Sequence, residues 1–277
     1  MKLRPAAPFL LLAPAFLFFV VLFVFPELRM LALSLGVPHW SLHEYTRFLG
    51  DPYYRAVLFR SLLFGALVTL VTLVLGLPLA WRLARLESRL APFLLILSTF
   101  PLWISAVVRS FGWIVILGRG GPISGALYML GLVQPSFQLL YTLSGVVIAL
   151  AQVLLPFMVL SLYSVIRAID PELERAAQNL GASPLAAGLL TTLPLARGGI
   201  LSGSLIVFAL SISAFATPSL VGGARVQLMA TTIYEQMTEL ADWKFATAVA
   251  FILLAIVLVI TLVYSRFAEG PGELPGR

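Results

Sequence analysis

Asp170–Pro194 reads DPELERAAQNLGASPLAAGLLTTLP and is the longest break in hydrophobicity in the second half of the chain. Its residues predict a short, capped helix. Asp170 can cap it, Pro171 suits the first helical position, and Glu172 and Glu174 sit where the helix dipole favours negative charge. Gly181 supplies the residue that most readily takes the left-handed conformation at a helix end. Leu173, Ala176, Ala177 and Leu180 fall at i, i+3, i+4 and i+7 and so share one face. Glu172, Glu174, Arg175, Gln178 and Asn179 occupy the rest. Ser183 and Pro184 repeat the cap-and-start pattern and open a second apolar helix towards Pro194. The narrow, alanine-paved stripe suits docking into a groove on a partner. It equally suits a helix lying on lipid or on its own bundle.

What flanks this stretch decides the solvent. The 277 residues are 60% hydrophobic and 11% charged, with a mean hydropathy of +1.02. That balance predicts an all-α helix bundle in lipid. The net charge of +6 is spread over loops and calls for no nucleic acid. Basic residues at membrane edges account for it. Cysteine is absent, which excludes disulfides, thiolate catalysis and cysteine metal sites.

Six spans are expected within one domain, 1–277. After Lys2 and Arg4 a first apolar run covers about 9–33, longer than a signal-peptide core, interrupted by Pro14, Pro26, Glu27 and Arg29. The others cover about 61–81, 91–117, 139–166, 199–220 and 245–264. Arg82, Arg85 and Arg89 crowd the short link after the second span, the clearest positive-inside signal in the chain. With six spans both termini are cytoplasmic, the loop 170–194 faces the same side, and the tail from 268 is disordered. The fifth span is rich in Gly and Ser, which let helices approach closely. Between it and the last span, Val226, Met229, Ile233, Met237 and Leu240 predict an amphipathic helix at the outer surface. GRGGPI, Gly118–Ile123, reads as a tight outer turn.

No catalytic set survives inspection. There is no phosphate-binding GxxxxGK[ST] loop, no GxSxG and no HExxH. His39 and His43 lack a third metal ligand and read as solvated. Ser211 and Ser213 lack a base, which argues against an intramembrane enzyme. Glu27 interrupts the first run, but no other span contains Asp or Glu. That argues against a secondary transporter or channel, which would rely on intramembrane acids or inverted repeats. Arg109 lies in an apolar run, where an arginine costs about 2.5–3.5 kcal/mol at mid-membrane. It either faces the solute pathway or a partner subunit, or snorkels to the outer interface.

The loop resembles the EAA loop of permease subunits of ATP-binding-cassette importers, roughly EAA, three residues, Gly, then a later Leu-Pro. Here the pattern runs Arg175-Ala176-Ala177, Gly181-Ala182-Ser183-Pro184 and Leu193-Pro194. VVRSFGWIVILGRGGPI (Val107–Ile123), LGLPLAWRLAR (Leu75–Arg85), AFATPSLVGGARVQLMATTIYEQ (Ala214–Gln236) and ADWKFATA before the last span are similar to the spermidine/putrescine-type branch, specifically its first permease subunit. The likeness covers nearly the whole chain. One departure is that the motif glutamate falls at Arg175, with Glu174 about 100° round the helix.

That resemblance implies a type I importer permease fold with six spans in a bacterial inner membrane. It implies a non-catalytic subunit that binds no cofactor, ATP being held by cytoplasmic ATP-binding subunits. It further implies a second permease subunit, an extracytoplasmic solute-binding protein and membrane lipid as surroundings. The solute expected is a polyamine or a similar small molecule. Glu172, Glu174, Arg175, Ala176, Ala177, Gly181, Ala182 and Pro184 would form the coupling loop that receives the ATPase motion.

Overall fold

A computed structural model describes residues 7–86, 90–134 and 136–268, and every regular element among them is helical. Lys2, Arg4, Arg89 and the tail beyond Ala268 lie outside the described residues. The chain opens with α1 (Ala7–Phe19), a π-helical turn (Val20–Val24) and α2 (Phe25–Ser34), followed by α3 (His43–Gly50) and the 34-residue α4 (Pro52–Arg85). Then come α5 (Leu90–Thr99), a 3-10 turn (Phe100–Trp103), α6 (Ala106–Leu117), α7 (Pro122–Met129) and α8 (Leu143–Ala168). The loop region holds α9 (Glu172–Asn179), α10 (Pro184–Leu190) and α11 (Thr192–Leu195). The chain finishes with α12 (Arg197–Ser213), a π-helical turn (Pro218–Gly222), α13 (Met229–Thr238) and α14 (Trp243–Ala268).

Four helical stretches are long and apolar enough to cross a bilayer: Leu12–Ser34, Pro52–Arg85, Leu143–Ala168 and Trp243–Tyr264. The other two expected spans are bent pairs. Leu90–Trp103 meets Ala106–Met129 at 92°, and Pro184–Leu195 meets Arg197–Ser213 at 68°. Pro101 stands at the start of the 3-10 turn that follows α5, and the first break comes just after that turn, where the backbone is extended at Ile104 (ψ 134°) and Ser105 (ψ 133°). The expected span 199–220 ends early, at Ser213, where Ala214 is extended (ψ 129°). With 17 residues α12 is about 26 Å long, short of the ~30 Å hydrocarbon core.

The chain divides into two compact units: Met1–Arg55 with Thr232–Ala255, and Ala56–Thr231 with Ile256–Arg277. In the first unit no described side chain from Leu12 to Leu33 is buried. Its order comes from an aromatic knot instead. Tyr54 packs on Phe48 and Phe245 with ring centroids 5.8 and 4.7 Å apart. Arg47 lies over the Phe245 ring at 4.2 Å and pairs with Asp242 at 2.8 Å.

In the second unit α8 is the central helix, with Val146, Met158, Val159, Leu162 and Ile166 fully buried or nearly so. It packs on α12 through the small residues expected to allow this. A Cβ on Gly199 or Gly203 would lie only 3.0 Å from Val165 and 2.9 Å from the Met158 sulfur. Met229 is fully buried and its N–H donates to Ser61 Oγ at 2.8 Å. The amphipathic helix expected around it therefore exists as α13, but its start is packed in the unit instead of lying at a surface. The GRGGPI turn also forms, with Gly120 at φ +72° and the Gly121 N–H donating to Gly118 O.

Candidate functional site

Helix α9 is built as its residues dictate. Asp170 Oδ1 accepts from the Glu172 N–H at 2.9 Å, and Pro171 holds helical dihedrals of −60° and −22°. At the other end Gly181 has φ +97°. Its N–H donates to Gln178 O at 2.9 Å while the Ala182 N–H donates to Ala177 O at 3.1 Å. This is the two-bond C-terminal motif that satisfies the last helical carbonyls. Ser183 Oγ accepts from the Ala186 N–H, and Pro184 is the first residue of α10. The second apolar helix does not reach Pro194 unbroken. It parts at Thr191 (φ −109°, ψ −62°), because Pro194 cannot donate to the carbonyl of Leu190 and its ring crowds that oxygen.

The two sides of α9 differ sharply. Leu173 is 46% exposed and Leu180 90% exposed, with Ala176, Glu172, Arg175, Gln178, Asn179 and Pro184 also outward. Arg175 pairs with Glu172 one turn away, both about two-thirds exposed. Only Glu174, Ala177 and, past the cap, Ala182 are half-buried. The shared stripe is thus split: its leucines face outward, while Ala177 turns towards the protein.

Glu174 is not free to serve an outside partner in this structure. Its Oε1 accepts from Arg85 Nη2 at 2.8 Å and Nε at 3.3 Å, and from the Thr192 hydroxyl. The paired side chains are 19% and 16% exposed. Burial by itself pushes the Glu174 carboxyl up. The hydrogen bonds from Thr192 and Arg85, with the Arg85 charge, outweigh it and hold the group below the usual carboxylate range. Arg85 Nη1 also donates to Ile169 O at 2.9 Å, and Arg167 Nη1 donates back to Ala84 O at 2.8 Å. Beside them opens a cavity of about 500 Å³ whose lining includes Trp81, Arg82 and Leu185. Sequence reading missed the pair because Arg85 lies 89 positions from Glu174. Its only signal was as a basic residue at a span end.

Arg109 finds its partners locally. Its Nη1 donates to Pro101 O and, at 3.4 Å, to Ile104 O, the carbonyls exposed by the break before α6. The guanidinium thus staples the bend in its own span. His39 and His43 remain exposed, and among the described residues no cluster of potential metal ligands occurs.

Helix α9 is thus capped at both ends and stands between stretches of membrane-spanning length, with one side pinned and the other bare. Residues 48–269 match the family described as binding-protein-dependent transport system inner membrane component. The chain belongs to that family. It is a permease subunit of an ATP-binding-cassette importer, a non-catalytic, multi-pass inner-membrane component. The spermidine/putrescine transport system permease protein PotB of Escherichia coli (strain K12) is 37% identical over 227 residues, covering 82% of each chain. PotB of Haemophilus influenzae is 32% identical, covering 90% of this permease and 89% of its own length. The permease fold is shared with a chain of a bacterial ABC transporter involved in the import of the acidic polysaccharide alginate. That likeness has a TM-score of 0.78 at 18% identity and covers 96% of both chains.

Proposed function

We propose that this permease subunit serves an importer for a polyamine or a similar small solute, and that α9 is where a cytoplasmic ATPase docks and drives it. The relatives named for spermidine and putrescine support the solute class. The observation that carries the coupling role is the bare outward face of α9. Leu180, 90% exposed beside Leu173, ends a helix whose opposite side is bound to the protein. Burying a leucine is worth roughly 1.5–3 kcal/mol, so a groove on a partner is the natural resting place for this face. ATP is held by that partner, and this chain binds no cofactor. A second permease subunit completes the pathway, and an extracytoplasmic binding protein delivers the solute. An alginate transporter of the same fold has been solved with its periplasmic protein bound. Both termini lie in the cytoplasm, a reading supported by Arg82 and Arg85 at the end of α4.

The test is purification of the importer carrying Leu180→Asp. Co-purifying ATPase is expected to fall by roughly tenfold or more, the scale of one lost leucine contact, with permease expression unchanged. Full retention of the ATPase would reject the docking face. Separately, wild-type complex in proteoliposomes is expected to hydrolyse ATP faster with spermidine- or putrescine-loaded binding protein. No response to either would reject the solute class and leave the docking face standing.

A further inference from the structure

We infer that Arg85 is the node through which movement of α9 reaches the membrane helices, with Glu174 as its link to the docking helix. The inference rests on the docking reading of α9 and deepens it. Arg85 stands at the cytoplasmic-side end of α4, where it touches three other parts of the second unit. It holds Glu174 of α9 through Nε and Nη2, reaches Thr192 of α11 at 3.4 Å, and donates through Nη1 to Ile169 O and, more weakly, to Ile166 O at 3.5 Å. Ile169 O lies at the C-cap of α8, Ile166 O already accepts from the Ile169 N–H at 3.2 Å, and both stand at the negative end of the helix dipole. One guanidinium, with donors in a fixed planar fork, therefore ties the ends of α4 and α8 to α9 and α11.

Two further contacts make the junction stiff. Arg167 at the end of α8 donates to Ala84 O in α4, so each helix is capped by an arginine of the other. Trp81 packs so closely on α10 that a Cβ on Gly188 would overlap its indole. Glu174 and Arg85 are both largely buried, and separating such a pair leaves an uncompensated charge. A displacement of α9 is thus passed to α4, α8 and α11 before the pair opens. Helix α9 keeps its own caps and its outward leucines without Glu174. Docking and transmission are therefore carried by different residues.

The test uses the whole importer in proteoliposomes, with ATPase, second permease and binding protein present. The readouts are ATPase retained on purification and solute moved per ATP hydrolysed. Glu174→Gln keeps the shape and removes the charge. It is expected to retain the ATPase while transport per ATP falls on the order of tenfold, the scale of an ordinary coupling free energy. Because this chain has no cysteine, Arg85→Cys with Glu174→Cys can be bridged by a bifunctional thiosulfonate as long as the lost side chains. Bridging is expected to restore transport per ATP, and reduction to abolish it again. A merely structural role would lower transport and hydrolysis together and leave their ratio unchanged, which would overturn the inference. Loss of the ATPase from Glu174→Gln would also overturn it, in favour of direct contact between that carboxylate and the partner. Failure of the docking reading shows up elsewhere, in Leu180→Asp.

Discussion

Two glycines flank the coupling region for opposite physical reasons. Gly181 has open space around it but φ +97°, so any side chain there is strained by about 1–3 kcal/mol through the backbone alone. Gly188 has helical backbone, and its constraint is the Trp81 indole against it. The expected outcome follows from that difference. Gly188→Ala should destabilise by roughly 1–3 kcal/mol through overpacking, and Trp81→Phe should relieve most of it. Trp81→Phe should not change the effect of Gly181→Ala at all. Thermal unfolding of the purified permease, read as two double-mutant cycles, checks both statements. Equal coupling in the two cycles would refute the steric account of Gly188. Gly181 was legible in the sequence because a helix end demands such a residue at a known offset. Gly188 was not, because its reason lies more than a hundred positions away.

At the scale of elements, the helices whose partners are local formed as the pattern predicts, and proline alone did not decide which spans break: α8 runs unbroken through Pro156 and α4 through Pro78. Arg109 illustrates the interplay. An arginine in an apolar run reads as a pathway or interface residue, and here its guanidinium also donates to Pro101 O and Ile104 O at the bend before α6. The start of α14 shows a second element-level device. Burial pushes the Asp242 carboxyl up, but the hydrogen bonds from Arg47 and the Phe245 N–H outweigh it and leave the group below its ordinary value. Arg47 is raised in turn, chiefly by its hydrogen bond to Asp242. A carboxyl lowered on folding contributes stability above its unfolded value and loses it as pH falls through the folded one. Hydrogen exchange in α3 and the first turn of α14 is therefore expected to quicken from about pH 5 downward. Asp242→Asn should exchange fast at neutral pH and show little further acid response. An undiminished acid response in that variant would assign the effect to other groups.

For the molecule as a whole, the proposed orientation rests on Arg82 and Arg85 at the end of α4. Gln178 in α9 and Glu239 after α13 are both exposed, and neither competes with a native cysteine. Gln178→Cys is expected to react with an impermeant thiol reagent only from the cytoplasmic face, and Glu239→Cys only from outside. The reverse pattern would invert the topology and remove α9 from any cytoplasmic ATPase. What the sequence alone determined is the solvent, the all-α class, the caps of α9 and the importer family, since each rests on composition or on spacing within one or two helical turns. The tertiary structure alone decided the rest. The breaks fall at Ile104–Ser105 and at Thr191, while Pro156 leaves α8 unbroken. The first helix buries no side chain from Leu12 to Leu33 among described residues, which its apolar composition does not reveal. Glu174 turns inward because Arg85, Thr192 and the end of α8 converge on it, and convergence across 89 positions leaves no periodic mark in a sequence.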